Sequence, residues 1–87
     1  MARPGEDPEL RRVRLRFGEQ VRTARKKAGL SQAQLAERIG RSQRYVSFIE
    51  TGGRSLPIET MSMIMRALGF TVEVEIKIRP IRPTSRD

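Results

Sequence analysis

Apolar residues recur at intervals of three or four along most of the chain, which is the spacing that places them on one face of an α-helix. The first such run extends from Leu10 to Ala28. Three shorter runs follow: one after Ser31, one after Ser42, and one that begins near Pro57. Serine is a preferred N-cap residue, and proline is tolerated in the first turn of a helix. Glycines that can end three of these helices are Gly29, Gly40 and Gly69.

The spacing of apolar residues changes to two between residues 71 and 79, where they alternate with charged residues, as in a half-buried β-strand. The apolar residues are Val72, Val74, Ile76 and Ile78. Because the sequence shows no second strand, we expect this one to pair with the same strand of a second copy about a twofold axis. An antiparallel register centred on Ile76 places Glu73 opposite Arg79 and Glu75 opposite Lys77. The pattern therefore predicts a homodimer.

These patterns divide the chain into four parts. Residues 1–8 hold prolines, a glycine and acids, and are expected to form a disordered leader. Residues 9–69 form the predicted helical domain, residues 70–80 the dimerisation strand, and residues 81–87 a flexible tail after Pro80. The start of the chain lacks the apolar stretch of a signal peptide, and no run is long enough to span a membrane, so we expect a cytoplasmic protein.

The composition favours binding over catalysis. Among the 87 residues, 18 Lys and Arg against 10 Asp and Glu give a net charge of +8, which attracts nucleic acid, acidic membrane or an acidic protein. The sequence has no His and no Cys, and its carboxylates show no paired arrangement, so we expect no enzyme, metal site or cofactor. An arginine cluster near the start is a solvated helix face, an extension of a phosphate-binding surface or a contact for an acidic partner. Its members are Arg11, Arg12, Arg14 and Arg16. We do not expect membrane binding, because the adjoining apolar stripe is needed for the core and the sequence has no tryptophan to anchor at an interface.

Residues 32–51 have the pattern of a helix-turn-helix. Ala36 is small where two helices must pass closely, and Gly40 follows four residues later, where the chain must turn. A small shared core is supplied by Leu35, Ile39, Val46 and Ile49. The alternative is an ordinary four-helix domain whose short helices match the motif by chance.

The stretch from Val21 to Leu68 resembles the Cro/C1-type (XRE) helix-turn-helix domain of phage repressors and bacterial regulators. The resemblance implies a mainly α, compact, lambda-repressor-like domain that binds double-stranded DNA as a dimer. Where that family has a fifth helix, this chain has the predicted β-strand, and this ending resembles HipB-type antitoxins, which dimerise through a C-terminal strand and repress their own operon. The second resemblance implies a HipA-type toxin kinase as a partner.

The resemblance also implies roles for individual residues. The third helix would contact DNA bases through Gln43, Arg44 and Ser47. Contacts with the DNA backbone are expected from Gln32, Arg41, Ser42, Arg54 and Ser55. A buried ion pair would join Arg25 to Glu50. The alternative for the polar residues is a solvated surface, and Tyr45 and Phe48 are expected to pack at the core or its rim, with a thymine methyl as the other contact open to Phe48.

Two functions follow from these observations. The first is a homodimeric transcription repressor that binds a palindromic operator and, as the antitoxin of a toxin-antitoxin pair, regulates its own operon. The alternative is a protein-interaction module that neutralises a toxin or another partner and has little specific DNA binding of its own. The polar first turn of the third helix favours the repressor over the interaction module, because Gln43 and Arg44 can form bidentate pairs with adenine and guanine.

Overall fold

The computed structural model describes residues 7–81, so most of the expected leader (1–8) and of the expected tail (81–87) lies outside the described residues. The four predicted helices are confirmed as α1 (Pro8–Lys27), α2 (Gln32–Ile39), α3 (Gln43–Glu50) and α4 (Ile58–Ala67). Helix α1 begins two residues before Leu10, because the side chain of Asp7 accepts a hydrogen bond from the Glu9 N–H and caps the helix.

Local sequence explains the turn between α2 and α3. The Ser31 hydroxyl accepts from the backbone N–H of Gln34, and the Gln34 side chain accepts from the backbone N–H of Ser31, which completes a capping box at the start of α2. Gly40 ends α2 with φ of 69°, a left-handed conformation that glycine adopts without steric cost. The Ser42 hydroxyl then accepts from the Tyr45 N–H and starts α3. Two short helices are thus joined by a three-residue turn.

The core lies where all four helices meet. Its largest fully buried side chains are Val21, Leu35, Val46 and Ile64. Ala36 is also buried, in keeping with the small residue expected where α2 and α3 pass closely. Helices α1 and α3 pack closely at Gly18, where an added Cβ would overlap the Ile49 carbonyl oxygen and lie 2.8 Å from that of Glu50. This close packing fixes the end of α3 against the middle of α1.

The predicted β-strand is not formed in the single chain. Residues 70–81 have no regular secondary structure, and the described residues, 7–81, contain no β-strand at all. Val72 is half-buried against the core, whereas Ile76 and Ile78 are 76% and 89% exposed. A β-strand requires a second strand to accept and donate its backbone hydrogen bonds, and the single chain offers none. The segment therefore leaves an apolar row in solvent.

Candidate nucleic-acid interface

Helix α3 buries one face and exposes the other. Val46, Ile49 and Glu50 are buried against α1 and α2. Gln43 and Arg44, in the first turn, are exposed, and Ser47 is half-buried one turn later on the same side. Gln43 and Arg44 thus lie on the exposed surface of the helix, where a groove-binding helix presents its polar side chains, and Ser47 lies at the edge of that surface.

Arginines stack on the two aromatic rings of α3. The guanidinium carbons of Arg41 and Arg54 each lie 5.2 Å from the centroid of the Tyr45 ring. The guanidinium carbon of Arg44 lies 5.9 Å from the centroid of the Phe48 ring. These distances are within the range of cation–π attraction. Positive charge is therefore held in place around the start of α3 and beside the loop that follows it.

The structure contains the Arg25–Glu50 ion pair. Arg25 Nε donates to Glu50 Oε2 at 2.6 Å, and Arg25 Nη2 donates to Glu50 Oε1 at 3.0 Å, so the pairing is bidentate. The third guanidinium nitrogen, Nη1, donates to the Leu30 carbonyl at 2.8 Å. The hydrogen bond to Glu50 raises the pKa of Arg25, and the negative charge of Glu50 acts in the same direction, against the opposing effect of burial. The pair ties the C-terminal ends of α1 and α3 together.

Gln32 takes part in this buried network, which the sequence does not reveal. Its Nε2 donates to Glu50 Oε1 at 3.1 Å, so the side chain at the start of α2 is oriented by the ion pair. A glutamine amide has two N–H donors, and the second is the one available for the expected phosphate contact. The ion pair therefore positions a candidate DNA contact as well as joining two helices.

The loop after α3 is fixed by residues of α1. Arg14 Nε donates to the Gly52 carbonyl at 2.8 Å, and a Cβ added at Gly52 would lie 2.5 Å from Leu15 Cδ2. Gly52 also has φ of 75°, so glycine is required both by its conformation and by the close approach. The loop carries Arg54, whose backbone is thereby held near α3. In the sequence, the adjacent Gly52 and Gly53 indicate a loop, but nothing in the pattern of residues connects them to Arg14.

The remaining expected contact residues differ in their surroundings. Arg41 and Ser42 are exposed in the turn before α3, and the Ser42 hydroxyl accepts from the Tyr45 N–H. Ser55 is exposed beside Arg54 at the edge of an apolar groove that includes Leu56. Phe48 is 46% exposed and packs its ring near Gly53, so it lies at the rim of α3 and not in the core. Charged, polar and aromatic side chains thus share one surface around α3.

A helix-turn-helix family model matches residues 21–74, and no curated protein sequence matches the chain. Among solved structures, the restriction-modification controller protein C.AhdI from Aeromonas hydrophila is 30% identical, over 70% of this chain and 88% of that chain, with a TM-score of 0.65. The clp gene regulator ClgR from C. glutamicum is 29% identical, over 78% of this chain and 83% of that chain, with a TM-score of 0.66.

A third solved structure, assigned to the XRE family of transcriptional regulators, is 28% identical, over 93% of this chain and 92% of that chain, with a TM-score of 0.68. The family match begins at Val21 and includes both helices of the motif, with the exposed first turn of α3 and the buried Arg25–Glu50 pair. No helix within residues 7–81 is both long enough and apolar enough to cross a membrane. The chain belongs to the helix-turn-helix family and is a DNA-binding transcription regulator of the helix-turn-helix type, similar in fold to the XRE-family structure.

Proposed function

We propose that the protein is a homodimeric repressor that binds a palindromic operator through α3. The observation that carries this proposal is the first turn of α3, where Gln43 and Arg44 are exposed between the turn that bears Arg41 and the loop that bears Arg54. Such a surface combines hydrogen-bonding groups that can read base edges with charges that can bind phosphates. Base readout without the flanking charge would be weak, and charge alone would not select a sequence.

The proposed base contacts follow from side-chain chemistry. An arginine pairs with guanine O6 and N7, and a glutamine pairs with adenine N6 and N7, so Arg44 and Gln43 would each select one base. The Phe48 ring beside Arg44 limits the positions of the guanidinium and offers an apolar surface to a thymine methyl. Ser47, one turn later, would contact the next base on the same side.

The proposed dimer forms through residues 71–79. Pairing with a second copy would give the backbone of this segment its missing hydrogen bonds and would cover the exposed side chains of Val74, Ile76 and Ile78. A twofold axis through the centre of the pair would present two α3 helices to two half-sites of one operator. Dimerisation thus supplies the second contact that a palindromic site requires.

We further propose that the protein is an antitoxin that also binds a HipA-type toxin kinase. This proposal depends on the same C-terminal segment, residues 71–79. The solved structures named above are a controller protein, a gene regulator and a transcriptional regulator, so support for the toxin partner comes only from the expected strand. A kinase-like reading frame beside the gene, whose product co-purifies with this chain, would support the antitoxin role. A neighbouring gene without such a product would leave a plain regulator.

We also propose that the protein acts by binding alone and works in the cytoplasm, where a repressor meets the chromosome. The sequence holds no His or Cys, the residues most used for proton transfer and thiolate chemistry. Its +8 charge and the surface around α3 suit a polyanion.

In vitro selection of duplex DNA by the full chain tests this function. Duplexes recovered from a random pool should contain two inverted half-sites with centres one helical turn apart, about 34 Å. The complex should contain two chains per duplex by light scattering. Recovery of no common sequence, or of a single unrepeated half-site bound by one chain, would contradict the proposal.

A charge-matched control separates readout from general attraction. Arg44→Ala and Arg66→Ala remove the same charge, but Arg66 lies on α4 and not on α3. In the homodimer, the first removes one pair from each of two half-sites, so it should reduce preference for the selected sequence about 30-fold or more, since a good bidentate pair is worth ~1–3 kcal/mol of discrimination. The second should leave that preference unchanged.

A further inference from the structure

The Tyr45 ring brings together two arginines from opposite ends of α3. Arg41 precedes the Ser42 cap of the helix, whereas Arg54 lies in the loop beyond its end. Each guanidinium carbon lies 5.2 Å from the ring centroid, although the backbones belong to different segments. One half-buried aromatic side chain in the first turn of α3 therefore sets the position of both charges.

The two charges are close enough to repel each other. Since both are 5.2 Å from one centroid, their separation is no more than twice that distance, which is about the Debye length at 0.1 M salt. Glu9 pairs with Arg12, and Glu50 pairs with Arg25. Among the described residues, neither Arg41 nor Arg54 has an acidic side chain at ion-pair distance. Such an arrangement is stabilised when an anion neutralises both charges.

The backbone of DNA is the anion that fits this geometry. Each strand carries one phosphate per 3.4 Å along the helix axis, and the ring allows the two guanidinium groups any separation up to twice 5.2 Å, so both can reach phosphates that lie near one another on one strand. A guanidinium can form two parallel hydrogen bonds to phosphate oxygens, and it does so while its flat face stacks on an aromatic ring. Both arginines can therefore keep their contact with Tyr45 while they bind phosphate.

The backbone beneath Arg54 is held independently of Tyr45. Arg14 bonds the Gly52 carbonyl, and the Gly53 N–H donates to the Phe48 carbonyl at 2.8 Å. What the ring adds is order in the long side chain, which would otherwise lose rotamer freedom on binding. Removal of the ring should then weaken DNA binding without removing a charge.

We infer that Tyr45 is a positioning residue, whose ring holds Arg41 and Arg54 as a clamp for neighbouring phosphates of one DNA strand. The inference rests on the DNA-binding role proposed above and deepens it, because it assigns part of the affinity to a residue that reads no base. The clamp is independent of sequence, since every duplex presents the same phosphates.

Binding to a random-sequence 20-base-pair duplex, measured by fluorescence anisotropy between 50 and 200 mM KCl, tests the clamp. Tyr45→Leu should weaken binding at least about fivefold at each salt concentration, because two long arginine side chains that the ring no longer orders must then lose their rotamer freedom on binding. Tyr45→Phe keeps the ring and should bind within about twofold of the wild type. Arg41→Ala and Arg54→Ala should each reduce the slope of log affinity against log salt by about 0.9.

A double-mutant cycle shows whether the Tyr45 ring affects DNA affinity through Arg54. If it does, Arg54→Ala should cost less affinity in the Tyr45→Leu background than in the wild type. Equal costs in both backgrounds, with thermal melting that shows both proteins folded, would overturn the inference. Wild-type affinity in folded Tyr45→Leu would also overturn it. Arg66→Ala is the control for loss of one charge away from Tyr45.

Wild-type protein supplies a test that needs no variant. Protons on the Arg41 and Arg54 side chains should be shifted upfield by the Tyr45 ring current in NMR spectra, and random-coil shifts for both would overturn the clamp. The tests of the clamp and of the proposed repressor can fail independently. Loss of affinity in Tyr45→Leu with no preferred DNA sequence would support the clamp and contradict the repressor; specific binding unaffected by Tyr45→Leu would do the reverse.

Discussion

Removal of the Glu50 carboxylate should destabilise the fold before it affects any DNA contact. The carboxylate accepts hydrogen bonds from Arg25 Nε, Arg25 Nη2 and Gln32 Nε2, at 2.6, 3.0 and 3.1 Å. The Arg25 and Glu50 side chains are only 9% and 3% exposed. In Glu50→Ala, the guanidinium stays buried with two of its donors unpaired. In the wild type, the hydrogen bond to Glu50 raises the pKa of Arg25, so the stability that the pair contributes is lost only in strongly alkaline solution.

The magnitude follows from burial. Loss of one partner from a buried pair costs about 3–5 kcal/mol, because the remaining charge has no counter-ion and little water. At about 0.05–0.15 kcal/mol per residue, a chain of 87 residues has roughly 4–13 kcal/mol in total. Glu50→Ala should therefore lose a large share of the stability, and it should be partly or fully unfolded if the wild type lies at the lower end of this range, about 4–5 kcal/mol.

Urea denaturation followed by circular dichroism at 222 nm measures the loss. All variants must be compared at one chain concentration, since a dimer gains stability with concentration. Replacement of both partners, Arg25→Met with Glu50→Leu, is the matched control, because an apolar pair of similar volume leaves no stranded charge. That double variant should unfold within about 2 kcal/mol of the wild type. The deficit of Glu50→Ala should persist in 0.5 M NaCl, as buried charges are little screened.

A loss below about 1 kcal/mol in Glu50→Ala would refute this reasoning, since that is the range of an exposed ion pair. A double variant as unstable as Glu50→Ala would also refute it, because the cost would then come from lost volume and not from a stranded charge.

Three further changes test other parts of the account. Gly18→Ala should destabilise the domain by roughly 2 kcal/mol or more in urea melts, because the new methyl overlaps the carbonyl oxygens at the end of α3; a neutral or stabilising effect would contradict the close packing. Ser42→Ala should cost about 1 kcal/mol by the same melts through loss of the cap on α3, and no change would contradict the cap. Glu75→Lys should weaken the proposed dimer in sedimentation, and Glu75→Lys with Lys77→Glu should restore it; equal dimerisation in all three proteins would exclude the register centred on Ile76.

The helices could be predicted because their signals are local. A helix shows itself in the spacing of apolar residues, and its start in a single capping residue such as Ser31 or Ser42. The turn of the motif was equally visible, since Gly40 must adopt a left-handed conformation that few other residues tolerate. Each of these features depends on residues that are close together in the sequence, so the sequence is enough to predict them.

Contacts between distant segments could not be predicted in the same way. Gly18 reads as a weak point in a helix, and its reason, the passage of α3 at that position, exists only in three dimensions. Arg14 reads as one of several surface arginines, yet it holds the loop through Gly52. The family resemblance implies a contact between Gln32 and a DNA phosphate, but it does not reveal the hydrogen bond that Gln32 donates to Glu50.

The C-terminal segment marks a different limit. Its alternation indicates a strand, but a strand needs a partner, and the pattern of one chain cannot supply it. Ile76 and Ile78 are accordingly exposed in the single chain. The alternation of apolar and charged residues therefore predicts that the segment can form a β-strand, and the strand forms only when a second strand pairs with it.

The ratio of specific to nonspecific DNA affinity in the wild type and in Arg44→Ala tests the central claim most directly. The ratio compares the selected operator with a scrambled duplex of the same length and composition at one salt concentration. We predict a wild-type ratio of at least about 10³, and a ratio about 30-fold or more lower in Arg44→Ala, because each of two half-sites loses a pair worth ~1–3 kcal/mol, with little change in affinity for the scrambled duplex. Equal ratios in the two proteins, or a wild-type ratio near one, would contradict sequence readout by the first turn of α3.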